Sequence, residues 1–160
     1  MADTRVGLGF DVHRWASGRP LWLGGLRFES DAGLAGHSDG DVVCHALADA
    51  LLGAVARGDI GEHFPDTDPS IAGIAGAELL ARTVRIVATA GAVASSADVT
   101  VICDRPPIGP RRDEMRARLA EILGVAVGRV SVKATRPEGL GLIGDGVGCL
   151  AVATVIGGAR

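Results

Sequence analysis

The sequence predicts an α+β fold, an α/β sandwich in which a mixed β-sheet carrying an N-terminal β-hairpin is covered by about three helices. Strand-like runs alternate with stretches of helical periodicity, and two short apolar runs flank a glycine pair near the start. Neither a linker nor a second pattern interrupts the 160 residues, which fits a single domain, 1–160, long enough to bury a proper core.

Arg5 to His13 reads as a strand whose period of two puts Val6, Leu8, Phe10 and Val12 on one face. Gly7, Gly9, Asp11 and His13 occupy the other. The two glycines leave that face bare, which costs strand stability and points to a ligand or a backbone coming close there. Leu21-Trp22-Leu23 and Leu26-Arg27-Phe28 flank Gly24-Gly25, a two-residue hairpin turn, and Glu29 to Gly36 reads as loop.

Asp39 to Val55 has helical spacing, with Asp41, His45 and Asp49 on one face and Val43, Leu47, Ala50 and Ala54 on the opposite one. Ser38 and Asp41 have capping-box spacing at its start, with Ser38 as N-cap and Asp41 as the third helical residue. Cys44 points into the core. Gly58 to Pro69, rich in proline and aspartate, reads as an irregular surface loop of the kind that often binds substrate.

Glu78 to Ala90 is an amphipathic helix stopped by Gly91, and Val99 to Cys103 a buried strand ended by Asp104-Arg105-Pro106-Pro107. Arg111 to Leu123 is the third helix, with Met115, Leu119 and Ile122 at core spacing, Gly124 as its stop, and Arg111, Arg112, Arg116 and Arg118 on a solvated face. Val130 to Ala134 alternates as a strand. The glycine-rich run Leu140 to Gly148 precedes a last apolar strand, Cys149 to Ile156.

The bulk properties exclude several functions. A net charge of −3 offers no nucleic-acid surface, and with no tyrosine among very few aromatics a stacking platform for single strands is absent. Cys44, Cys103 and Cys149 are odd in number and lack C-x-x-C spacing, which fits a reducing cytosol rather than a disulfide framework. No apolar run is long enough for a membrane span, and the first residues are polar, so a soluble cytoplasmic protein is expected.

A strand offering Asp11 and His13, facing a helix offering His45, makes a metal cradle. Three nitrogen and oxygen ligands suit zinc with its fourth tetrahedral position open to substrate or water, the pattern of catalytic sites.

Several motifs, in order and in spacing, together resemble the 2-C-methyl-D-erythritol 2,4-cyclodiphosphate synthase family. They are Gly9-Phe10-Asp11-Val12-His13, Gly36-His37-Ser38-Asp39-Gly40-Asp41, His45 to Gly53, Gly58-Asp59-Ile60-Gly61, Phe64-Pro65-Asp66-Thr67-Asp68-Pro69 and Val132-Lys133-Ala134-Thr135. The resemblance implies a homotrimer with active sites between adjacent subunits. It implies conversion of 4-diphosphocytidyl-2-C-methyl-D-erythritol 2-phosphate to the cyclic diphosphate with release of CMP, in the non-mevalonate route to isoprenoids.

Carried over position by position, zinc falls on Asp11, His13 and His45 and magnesium or manganese on Glu138, with Val12 among the substrate contacts. His37 and Ser38 would contact phosphate, with His37 and Arg136 as the catalytic set. Asp59, Ile60 and Gly61, with Phe64, Pro65, Asp66, Thr67 and Asp68, would hold the sugar portion. Cys103, Asp104, Arg105, Pro106, Pro107, Ile108 and Gly109, with Ala134 and Thr135, would form the cytosine pocket, and Pro137 and Leu142 would complete the substrate contacts.

The chain departs from the family pattern at four positions. Arg136 follows Thr135 where the family usually has another hydroxyl residue that stabilises the transferring phosphate; a guanidinium also matches phosphate geometry. Pro107 stands where lysine is common, and Asp145 and Val147 stand where arginine and glutamate line the family's central channel. Two rival readings remain: a zinc-dependent phosphohydrolase of nucleoside diphosphates, and a catalytically idle protein that binds nucleotide or isoprenoid.

Overall fold

A computed structural model describes residues 3–157 apart from Leu142. Its elements run β1 (Thr4–Ser17), β2 (Leu21–Leu23), β3 (Leu26–Phe28), β4 (Ala32–Leu34), α1 (Val42–Ala54), α2 (Ile60–His63), α3 (Gly76–Thr89), β5 (Ala92–Ile102), α4 (Arg112–Leu123), β6 (Val130–Thr135) and β7 (Gly146–Gly157). Five strands form one mixed sheet in the order β4-β1-β7-β5-β6, in which only β5 and β6 are parallel, and β2 and β3 form a separate hairpin.

Strand β1 alternates as expected, and its glycine face meets backbone. A Cβ on Gly7 would stand 1.9 Å from the Ala50 carbonyl oxygen, and one on Gly9 would stand 1.8 Å from that of Ala46. Helix α1 therefore lies directly on β1, and all its side chains but Asp49 and Gly53 are buried. The sequence predicts one apolar face; the structure buries nearly the whole helix, because α1 packs on β1 and β7 and α3, which also meets β5, packs against it. Leu47, Leu51, Leu80 and Leu119, all fully buried, each contribute about 2 kcal/mol through loss of contact with water.

The start of α1 differs from the capping-box expectation. Gly40 takes a left-handed φ of +78°, the helix begins at Val42, and Asp41 is itself the N-cap. Its Oδ1 accepts from the backbone amides of Gly24 (2.8 Å), Val43 (3.1 Å) and Cys44 (3.1 Å), and its Oδ2 accepts from Gly25 (2.6 Å). A fully buried carboxylate thus closes the helix N-terminus and ties the β2–β3 turn to it.

Other elements are longer or additional. The loop predicted from Glu29 to Gly36 contains β4, three residues paired with the end of β1, too short to carry a period. Gly58 to Pro69 contains α2, a single turn capped by Asp59, which joins the three expected helices among the described residues. The last strand begins within the glycine-rich run, at Gly146, because β1 pairs with it as far as Arg14. Of the arginines expected to be merely solvated, Arg111, just before α4, and Arg116 and Arg118 on it are pinned by Glu114, Asp113 and Glu121.

The sheet face away from the helices stays open. Val6 and Leu8 are 63% and 64% exposed, and Phe10, Val12, Val93, Leu150 and Ile156 join them.

Candidate metal and phosphate site

Successive outward steps along β1 place Asp11 and His13 on the glycine side, one strand turn beyond the point where α1 touches Gly9. His45, on the first turn of α1, comes down over them. Asp11 Oδ2 lies 2.8 Å from His13 Nε2 and 3.0 Å from His45 Nδ1, and the two ring nitrogens are 3.2 Å apart. The three donor atoms all lie within 4.8 Å of one another.

Each imidazole is oriented from behind. His13 Nδ1 faces the Ala35 carbonyl at 2.5 Å; a carbonyl only accepts, so the proton sits on Nδ1 and the Nε2 lone pair faces the cluster. His45 Nε2 pairs with Ser38 Oγ at 3.0 Å, a hydroxyl that also accepts from the Gly40 amide; in the tautomer that donates from Nε2 to this oxygen, the Nδ1 lone pair faces the cluster. Two imidazole nitrogens and a carboxylate oxygen converge on one point. Without a cation or a proton they repel, and with a divalent cation they become ligands whose outer nitrogens are already fixed. The donor set fits zinc.

The electrostatics agree. Burial alone would raise the pKa of Asp11, but hydrogen bonds to His13 and His45 and their charge hold it below the usual carboxylate range. The Asp11 hydrogen bond raises His13 against the opposing effect of burial. Asp39, which accepts from the Asp41 and Gly76 amides and so joins α1 to α3, is pushed up by burial.

The cluster opens into a cavity of about 430 Å³. Of the expected residues, Asp11, His13, His37, Ser38, His45, Ile60 and Gly61 line it, as do Phe64, Pro65, Asp66 and Asp68. Val12 faces the opposite side of the sheet, Asp59 is occupied as the α2 cap, and Thr67 is not in the wall. Asp49 accepts from the Ile60 amide at 2.8 Å and so anchors the loop to α1. His37 lies across the mouth with Nε2 3.5 Å from Asp66 Oδ2.

Sequence reasoning missed the apolar wall of Ile71, Ala72, Ile74 and Leu79, which carries no chemical motif. It also missed Arg19, whose guanidinium grips the carbonyls of Gly36 (2.8 Å) and Ser38 and so fixes the turn bearing His37.

A second cavity, of about 410 Å³, is walled by Cys103, Asp104, Pro106, Pro107, Ile108, Ala134, Thr135 and Arg136. Arg105 turns away from it onto Trp15, and Gly109 begins a short 3-10 turn. Pro137 and Glu138 follow β6 outside both walls, and Glu138 is not among the residues that converge on Asp11. Leu142 lies outside the described residues. The two cavities share no residue.

A sequence model of the YgbB family matches residues 4–157. The chain is 49% identical over 156 residues to the 2-C-methyl-D-erythritol 2,4-cyclodiphosphate synthase of Cereibacter sphaeroides, covering 96% of this chain and 98% of that one. It is 50% identical to the bifunctional enzyme IspD/IspF of Erythrobacter litoralis, covering 98% of this chain but only 42% of that protein, so it spans less than half of such relatives.

Among solved structures, a 2C-methyl-D-erythritol-2,4-cyclodiphosphate synthase in a CDP-bound form superposes with a TM-score of 0.87 at 39% identity, over 94% of this chain and 99% of that one. The bifunctional IspDF of Campylobacter jejuni gives 0.91 at 37% identity, over 98% of this chain and 43% of that one. Matched over nearly its whole described length in sequence and in fold, the chain belongs to the YgbB family.

Proposed function

We propose that this chain is a 2-C-methyl-D-erythritol 2,4-cyclodiphosphate synthase, a cytoplasmic lyase of the non-mevalonate route to isoprenoids. The observation that carries the reading is the convergence of Asp11, His13 and His45, with both imidazoles oriented from behind, on a cavity of about 430 Å³ in a chain of this family. No described helix is long and apolar enough to cross a membrane.

In this reading Asp11, His13 and His45 would hold zinc, and Glu138 would hold magnesium or manganese. When bound, these ions supply charge neutralisation and Lewis-acid polarisation of the phosphoryl oxygens. The chain's own residues bring two repelling phosphates together. Ser38 and His37 face the 2-phosphate at the cavity mouth, and the Ile60–Asp68 wall with its Phe64 ring holds the sugar carbons against water.

A 2-phosphate oxygen attacks the β-phosphorus, the bond from that phosphorus to the α–β bridging oxygen breaks, and CMP leaves with the electron pair. The nucleophile is already an anion, so no cysteine or serine needs to act covalently. Arg136, in the wall of the second cavity, would neutralise the departing CMP phosphate where the family places a hydroxyl.

The second cavity would take the cytosine. Because it shares no residue with the first, one chain offers two half-sites. The open apolar sheet face supports a homotrimer in which the zinc half of one copy meets the nucleotide half of its neighbour. Product mass after incubation with the diphosphocytidyl substrate and magnesium tests the reading: a cyclic diphosphate supports it, and an open-chain diphosphate would replace it with a hydrolase.

A further inference from the structure

Residues 103–111 carry one wall of the second cavity, yet little backbone bonding holds them. Sheet pairing ends where Ile102 faces Thr135, and the Cys103 amide makes the last bond across, to the Thr135 carbonyl at 3.1 Å. Beyond it Pro106, Pro107 and Pro110 have no N–H to donate.

The segment is instead pinned at both ends by an arginine stacked on a ring from a distant part of the chain. Arg105 Cζ lies 4.7 Å from the centre of the Trp15 ring on β1, and its Nη1 donates to Asp31 Oδ1, just before β4, at 2.9 Å. Arg111 Cζ lies 4.7 Å from the centre of the Phe28 ring on β3, and its Nη1 donates to the Arg27 carbonyl. Glu114 holds the other edge of that guanidinium through bonds of 2.8 and 2.7 Å. The chain has only two tryptophans, three phenylalanines and no tyrosine, so two of its few aromatic rings are committed to this one segment. Neither arginine lines the cavity.

We infer that Arg105 and Arg111 are positioning residues, a two-point clamp that sets the posture of the nucleotide-cavity wall, so that cytidine nucleotide binding is coupled to the stacking of Arg105 on Trp15. A guanidinium over a ring face is held by the ring's quadrupole and adds a directional hydrogen bond at its edge, which fixes a loop that cannot join a sheet. The inference rests on the second cavity being the cytidine site.

The test uses the full chain with Trp22→Phe, which leaves Trp15 as the sole tryptophan, titrated with CMP in the presence of magnesium. CMP is expected to change Trp15 emission saturably. Arg105→Met and Arg111→Met are each expected to weaken CMP binding and raise KM about tenfold while kcat and bound zinc hold, with Arg105→Lys recovering part of the loss. CMP binding as tight in both methionine variants as in the parent overturns the clamp alone. Zinc lost together with CMP binding, or kcat falling at constant KM, overturns it in favour of a general folding role. If the parent itself binds no CMP, the cytidine reading of the cavity falls and the clamp falls with it.

Discussion

Gly9 lies so close to Ala46 that a Cβ on the glycine would stand 1.8 Å from the alanine's carbonyl oxygen. That approach brings His45, one residue before Ala46, down to the Asp11 carboxylate, two residues after Gly9. Gly9→Ala must push α1 off β1, at a cost of about 3 kcal/mol or more. Gly53→Ala, on the same helix with nothing within 4 Å, gains about 0.5–1 kcal/mol from helix propensity. Denaturant unfolding of the two variants checks the opposite signs.

Ser38 orients His45 through Nε2, the ring nitrogen that faces away from the three clustered donor atoms. Ser38→Ala removes the hydroxyl 3.0 Å from Nε2, so zinc affinity falls about 10- to 100-fold while the fold persists, measured by chelator competition. An unchanged affinity would mean that packing alone fixes the ring.

Burial, with a contribution from the Asp104 charge, pushes the Cys103 thiol up to about 11. The thiolate is the reactive form, so at pH 8 only about one molecule in a thousand carries it. Alkylation at Cys103 is therefore expected to be slow at pH 8 and to accelerate with each unit toward 11, followed by mass spectrometry of the modified peptide. Burial raises Cys44 and Cys149 as well.

The separate cavities predict complementation between subunits. In the proposed function His45 and Glu138 belong to different half-sites, so His45→Ala and Glu138→Ala are each expected to be inactive or nearly so alone. Coexpressed at equal levels, they should form trimers in which about a quarter of the sites combine two intact halves. Activity appearing on coexpression checks this; its absence would place both halves in one chain.

The metal trio is legible in the sequence because two simple periods carry it: the alternation of β1 puts Asp11 beside His13, and the helical spacing of α1 places His45. The bare glycines Gly7 and Gly9 even foretell that a backbone approaches. The cap is less legible, since Asp41 moves from third helical residue to N-cap once Gly40 adopts its left-handed turn. Strand β4 and helix α2, at three and four residues, are too short to show any period. Arg105 reads as a pocket residue but turns onto Trp15, and a stacking partner so distant in sequence leaves no local mark.

The most direct measurement is bound zinc and CMP release on the same preparation, supplied with the diphosphocytidyl substrate and magnesium, for the parent and for His45→Ala. The parent is expected to carry about one zinc per chain and to give CMP and cyclic diphosphate in equal amounts, and the variant to show neither metal nor turnover. A zinc-free His45→Ala protein that still releases CMP and forms the cyclic product would contradict this.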